Sequence, residues 1–217
     1  MTLPGATARR IGLYGGSFDP VHRAHLALAR SALDDIPLDE LRWVPAGQPW
    51  QKAHRLAPVD DRLAMLRLAL ADPADGDARY RIEPCELART GPSYTIDTVE
   101  PLQQREPGAH WFLLIGQDQH AGLHTWHRWR ELLDRVTLAV AVRTDTALRP
   151  VDPEVARHGH IALSMPPMAV SSTLLRERAR AGAPLDDLVP PGVARYIESR
   201  RLYRDGPTEL PSTIPRS

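Results

Sequence analysis

Between Arg10 and Ala32 the chain reads RIGLYGGSFDPVHRAHLALARSA, a stretch that narrows the fold before anything else is considered. An apolar β-type run, Ile11 to Tyr14, gives way to Gly15 and Gly16. A turn follows, and a helix opens with His22 and His25 three residues apart. Strand, glycine turn and helix start, in that order, belong to an α/β chain. One helical turn separates the two imidazoles, so both project from the same face. They stand beside the N–H groups of the helix start, where the helix dipole also favours an anion. The combination describes a phosphate cradle.

Residue types support that chemistry. Gly15 and Gly16 permit a close ligand approach that side chains would forbid, and Ser17 adds a hydroxyl donor. Asp19 can bond the backbone two residues on, and Pro20 fixes the turn before the helix. Histidines donate to an oxyanion without holding it as rigidly as arginine, which suits charge that develops in a transition state. The stretch is neither a P-loop nor a GxGxxG dinucleotide fingerprint.

At 217 residues the chain is long enough for one well-buried α/β domain and short for two. Lys plus Arg equals Asp plus Glu, 27 each, so no nucleic-acid or acidic-membrane partner is expected and any anion site must be local. Cys85, the single cysteine, excludes an intrachain disulfide and reads as a packing residue in a reducing compartment. No signal-type or membrane-spanning run is visible, so a cytoplasmic location is expected. Residues 1–9 read as a flexible leader and 205–217, Pro-rich and polar, as a disordered tail around a domain at 10–204.

Along that domain strands alternate with helices. Strands are predicted at Leu41 to Val44, Tyr80 to Ile82, Trp111 to Ile115, Thr137 to Val142 and Ile161 to Leu163. Helices are predicted to about Leu33, over Val59 to Leu70 with Leu63, Leu66 and Leu70 on one face, and to Gln104 from an N-cap at Ser93. Further helices are expected over Trp129 to Leu133 and Val193 to Arg200. Thr144 to Gly159 reads as a Pro-containing excursion. This pattern gives a single Rossmann-like domain with an open, mainly parallel sheet. In such a sheet ligands bind outside the carboxyl ends of the strands where the order reverses, which is where Asp118 would fall, able to accept ribose hydroxyls. His120, His124 and His127 fall at i, i+4 and i+7, a spacing that would suit zinc. However, His124-Thr125-Trp126 interrupts the helical pattern, and no metal site is expected.

GGSFDPVHRAH resembles the GGSFDPxHxGH signature of the paired-histidine nucleotidyltransferases, most closely the bacterial nicotinate-nucleotide adenylyltransferases. Ala24 stands where that family usually has glycine. Further motifs in matching order extend the resemblance over nearly all of residues 10–203. PWQK resembles the family's PPHK run, aligning Lys52 with a substrate-phosphate contact. Arg62 and Met65 match RxxML, where Arg62 reads either as a phosphate contact or as an exposed helical arginine. GPSYTIDTV implies that Tyr94 and Thr95 meet the pyridine ring. IGQD implies a ribose contact at Asp118, and Trp126 would stack on the pyridine. His127 stands where tyrosine is common, and Arg143 resembles an arginine at the end of the fifth strand. VSSTLLR matches ISSTxIR. Ser171 or Ser172 can cap its helix, while Ser172, Thr173 and Arg176 face phosphate.

The resemblance implies adenylyl transfer from ATP to nicotinic acid mononucleotide, giving deamido-NAD and pyrophosphate, with Mg²⁺ entering on the ATP phosphates. His22, His25 and Arg176 would stabilise the reacting phosphates. The alternatives are another acceptor, nicotinamide mononucleotide or phosphopantetheine, and a non-catalytic nucleotide-binding protein. Nothing in the sequence fixes the oligomeric state, and a homo-oligomer stays open.

Overall fold

The apolar run at Ile11 is a strand buried on both faces, as a central parallel strand must be. In the computed structural model, which describes residues 8–47, 56–142 and 150–204, this strand is β1 (Arg10–Gly16). It pairs with β2 (Glu40–Pro45) on one edge and β4 (His110–Gly116) on the other. β3 (Tyr80–Ile82) extends the first side, and β5 (Thr137–Val142) and β6 (Ile161–Ser164) the second. All pairs are parallel, and the order β3-β2-β1-β4-β5-β6 reverses between β1 and β4. The expected Rossmann-like sheet is therefore present, with a crevice where β1 and β4 end.

Side chains alternate between two cores, as the two-residue period of a strand requires. From β4, Phe112 and Leu114 enter one core with Tyr14, Trp43, Met65 and Leu175, covered by α1 (Arg23–Asp35), α2 (Val59–Leu70), α7 (Ser172–Arg180) and α8 (Pro191–Ser199). Trp111, Leu113 and Ile115 enter the other with Ile11, Ile96 and Val155, covered by α3 (Thr95–Arg105), α5 (Trp129–Leu133) and α6 (Pro153–Arg157). Cys85 packs against this second core, and burial pushes its thiol up to about 11. The expected packing role holds.

Several local expectations change. α6 was not expected inside Thr144 to Gly159; it forms because Asp152 caps it, accepting from the N–H groups of Glu154 and Val155, with Pro153 in the first turn. Ser93 does not cap α3, which starts one residue later behind an extended Tyr94. Its hydroxyl bonds Glu86 instead. Pro101, inside α3, cannot donate to the Asp97 carbonyl, and Arg89 Nη2 supplies that bond at 2.8 Å. The buried face of α2 is Asp61, Arg62, Met65, Leu66 and Ala69, rotated from the Leu63, Leu66, Leu70 stripe. Polar partners cause the rotation: Asp61 accepts from Tyr196 at 2.9 Å, and Arg62 is 2% exposed among carbonyls described below. The proposed leader and tail fall largely on residues 1–7 and 205–217, outside the described residues.

Near the amino ends of β1 and β2, Arg42 is buried between Glu40, Glu83 and Glu106, and Arg9 bonds both Glu40 and Glu106. Burial alone would raise the Glu106 pKa; the Arg42 and Arg9 guanidiniums outweigh it and hold the carboxyl below its ordinary 4.5. A depressed carboxylate contributes stability above its unfolded pKa, lost as pH falls through the folded value. Urea unfolding between pH 7 and 3 should show this. Glu106→Gln is expected to cost about 1 kcal/mol at neutral pH and to flatten the loss of stability below about pH 4.5.

Candidate active site

Both glycines lie in β1 and not in a turn, since Gly15 and Gly16 pair with Val44 and Pro45. Each has a different reason to lack a side chain. A Cβ on Gly16 would come within 2.9 Å of the Phe18 ring, whereas one on Gly15 would project into open space. Gly15 is thus the position where a ligand can approach the strand end. The left-handed residue of the following turn is Phe18, with φ 46°. Its ring packs at 5.3 Å on Trp43 and edge-on at 5.2 Å against His25. A buried aromatic layer of Tyr14, Phe18 and Trp43 therefore backs the second histidine.

His22 precedes α1 as its N-cap, in extended conformation, and is not the helix's first residue. Its backbone N–H donates to His25 Nδ1 at 3.2 Å, and the two rings stack with centroids 3.7 Å apart. An Nδ1 that accepts from a backbone N–H cannot itself carry a proton, so the neutral His25 presents Nε2–H as a donor. The imidazoles do share one face. The helix start is less open than the sequence suggests, because the Arg23 N–H donates to Leu188 O and the His25 N–H bonds back to His22.

α7 docks on the same turn from the other side. Ser171 caps it, accepting from the Leu174 N–H at 3.2 Å. Ser172 donates to Pro20 O at 3.1 Å, and Arg176 donates to Asp19 O at 2.8 Å and to Thr173 Oγ1 at 3.2 Å. Of the three residues expected near phosphate, Ser172 and Arg176 are thus held against the histidine-bearing loop by its own carbonyls, and Thr173 is tied to Arg176.

Two clefts open near this turn, and His22 and His25 are among the lining residues of neither. One, of about 140 Å³, opens over the ends of β1, β2 and β4; Gly15, Gly16, Ser17, Thr95 and Trp126 line it. Tyr94 and His127 are not among its lining residues; their rings pack together at 4.4 Å. The other, of about 250 Å³, lies between β4 and α1, with Tyr14, Ala24, Leu28, Asp118 and Met165 in its wall. Asp118 stands at the start of α4 (Gln117–Ala121), at the carboxyl end of β4, where the switch-point argument put it. The Ala24 methyl lines this second cleft. Lys52 and Arg143 lie outside the described residues.

The structure adds residues that carried no clear sequence signal. Gln119 borders both clefts. Glu86 is buried in the wall of the first, accepting from Thr98 Oγ1 at 2.7 Å, and burial raises its pKa. Gly47 is what lets the chain pass Glu86: a Cβ there would lie 2.3 Å from its carbonyl oxygen. Arg62 is neither a phosphate contact nor exposed. Its Nη1 donates to Ser17 O at 2.8 Å and Ala46 O at 2.9 Å, and its Nε to Ala57 O at 3.2 Å. One guanidinium thereby ties the turn after β1 to both ends of the segment that follows β2. Burial lowers the Arg62 pKa, and the Asp19 carboxylate opposes that.

His120, His124 and His127 fall on three different segments. His120 is buried in α4 with its ring 4.7 Å from His160, His124 sits in a single 3-10 turn, and His127 lies against Tyr94. Among the described residues no group of three or more His, Cys, Asp or Glu side chains could hold a metal ion.

Comparison with known proteins fits this geometry. The family model described as cytidylyltransferase-like matches residues 13–178. A protein of Methylibium petroleiphilum named "Probable nicotinate-nucleotide adenylyltransferase" is 50% identical over 200 residues, covering 90% of this chain and 92% of its own. One of the same name from Bordetella petrii is 44% identical, covering 90% and 100%. Among solved structures, the Plasmodium falciparum nicotinic acid mononucleotide adenylyltransferase complexed with NaAD has the same fold, with a TM-score of 0.74. Its identity is 17%, and the match covers 90% of this chain and 97% of that one.

Lysine cannot span the carbonyls that Arg62 bridges. Arg62→Lys should therefore cost about 2–4 kcal/mol in urea unfolding, through buried carbonyls left without donors.

Proposed function

This chain belongs to the cytidylyltransferase-like family and, within it, to the nicotinate-nucleotide adenylyltransferases, and from that premise we propose how its residues divide the work. The reaction moves the adenylyl group of ATP to nicotinic acid mononucleotide, a step of NAD biosynthesis, giving deamido-NAD and pyrophosphate. The observation that carries our assignment is the stacked His22–His25 pair where the turn that follows β1 enters α1, beside the strand-order reversal.

In this reading the cleft lined by Thr95 and Trp126 takes the nicotinate nucleotide, and the indole stacks on the electron-poor pyridine. The cleft lined by Asp118 takes the adenosine of ATP, whose ribose hydroxyls donate to the carboxylate. The two phosphates then meet beside Gly15 and the imidazoles. The mononucleotide phosphate attacks the α-phosphorus in line, and the bond to pyrophosphate breaks on the opposite side. Both reactants are already phosphates, so no protein nucleophile is needed and positioning with charge stabilisation carries the rate. His25 donates from Nε2 to a phosphoryl oxygen, His22 supports it from the stacked ring, and Ser172, Thr173 and Arg176 hold the departing pyrophosphate.

The reaction is consistent with a divalent metal cofactor. We assign Mg²⁺, bound to nucleotide phosphates and water. The one carboxylate of the turn, Asp19, is fully buried, and the other groups there are imidazole, hydroxyl and guanidinium, so the ion would be held by the nucleotide it arrives with. When bound it neutralises phosphate charge. Among the described residues no helix is long and apolar enough to cross a membrane. The single cysteine supports assignment to the cytoplasm.

Pyrophosphate release from Mg²⁺-ATP, measured separately with nicotinic acid mononucleotide, nicotinamide mononucleotide and phosphopantetheine, tests the assignment. Strong release with the first alone is expected. Preference for another acceptor would relocate the error to the pyridine cleft, and ATP binding without release from any would make the protein a non-catalytic binder. His25→Ala should lower kcat about 10²–10³-fold. Losing the bond to the His22 N–H should cost only about 1 kcal/mol, or about 2–4 °C in Tm. Equal damage to folding and turnover would count against the catalytic assignment.

A further inference from the structure

Asp19 is fully buried in the turn between Ser17 and His22. It does not bond the backbone two residues on. Its Oδ1 accepts from the Ala57 N–H at 3.3 Å and, at 2.8 Å, from the hydroxyl of Tyr203, which is distant in sequence. Tyr203 lies in the turn beyond α8, held at φ 67°, a conformation that costs a non-glycine residue energy and persists only where contacts enforce it. The same turn is pinned by the Leu202 N–H, which donates to Ile197 O at 3.0 Å. Burial first, and then the Asp19 carboxylate, push the phenol above its ordinary pKa, so it is a donor at any working pH.

We infer that Tyr203 is a positioning residue for adenylyl transfer: its hydroxyl fixes Asp19, and through it the turn that carries His22 and receives α7. Two physical facts make this more than a packing contact. A buried carboxylate needs donors, and Tyr203 and Ala57 supply bonds to one oxygen while Oδ2 has no hydrogen-bond partner among the described residues. Arg62 supplies a nearby opposite charge, but removing one donor leaves the buried carboxylate with a single hydrogen bond and favours a shift of the turn. Arg176 also donates to the carbonyl of Asp19 and Ser172 to that of Pro20, so a displaced Asp19 moves the phosphate-facing ends of α7 and α1 relative to each other. Tyr203 touches none of the reacting atoms in this scheme; it acts through Asp19.

The inference rests on the proposed function, and the test separates the two. Tyr203→Phe keeps the ring and removes only the hydroxyl. With nicotinic acid mononucleotide as acceptor, kcat per site should fall about tenfold, as expected where a hydrogen bond to a charged group is lost. Sites are counted by the stoichiometry of a non-hydrolysable ATP analogue, and both KM values should stay within about twofold. A merely structural role would reduce the number of binding sites and leave turnover per site unchanged, which would overturn the inference. In an Asp19→Asn background the same substitution should change kcat less than about twofold; independent, additive losses would overturn it.

A second readout needs no turnover. The ring resonances of His22 and His25 in the NMR spectrum should shift in Tyr203→Phe, and unmoved resonances would reject the link. If the unaltered enzyme releases no pyrophosphate with nicotinic acid mononucleotide, the functional reading fails. The histidine resonances then decide on Tyr203 alone.

Discussion

Strand β1 is hydrogen-bonded along both edges, to β2 and β4, and its side chains feed both cores. Connections from its two neighbours leave on opposite faces, so the chain cannot cover the carboxyl end of β1 with regular structure. Several of the residues proposed for the chemistry collect around that gap. Gly15 opens toward it, α1 and α7 start beside it, and Asp118 reaches it from β4. A parallel sheet with reversed order imposes the crevice before any residue is chosen to occupy it.

What occupies it is held by buried polar bonds more than by apolar packing. The turn from Ser17 to His22 has no repeating backbone pattern of its own, and its carbonyls are used as anchors. Ser17 O takes Arg62, Asp19 O takes Arg176 and Pro20 O takes Ser172. Isolated, a buried Arg62 would be costly, but it has three carbonyl acceptors and the nearby charge of Asp19. Such an arrangement is stiff because each donor removed leaves a buried acceptor without compensation. In the proposed reaction such stiffness serves the imidazoles, because catalysis by positioning depends on how closely their geometry is held.

The second cleft-lining network follows the same logic on the opposite side. Arg89 donates both to Thr98 and to the Asp97 carbonyl that Pro101 leaves unbonded, and Thr98 donates to Glu86 in the cleft wall. A proline that would otherwise weaken α3 thus creates an acceptor that a neighbouring arginine satisfies. The same arginine helps to fix a buried carboxyl in the wall of the cleft lined by Thr95 and Trp126.

Local order carries its signal in sequence. The strand at Ile11, the His22–His25 spacing, the serine cap before Leu174 and the position of Asp118 after an apolar strand could all be read there. Each depends on residues a few positions apart. The paired-histidine signature and the SSTLLR run named the family for the same reason. Arg62, Glu86, Gln119 and Tyr203 could not be read so. Arg62 looks like any helical arginine until the fold brings Ser17, Ala46 and Ala57 around it, and Ser93 looks like a cap until Glu86 claims its hydroxyl. The sequence by itself determined the alternation of strands and helices, the phosphate-facing motif and the family, because periodicity and short-range spacing encode them. Only the tertiary structure decided which polar groups hold the site, because partners such as Arg62 and Ala46, 16 residues apart, and Asp19 and Tyr203, 184 apart, meet through the topology of the sheet and leave no local trace.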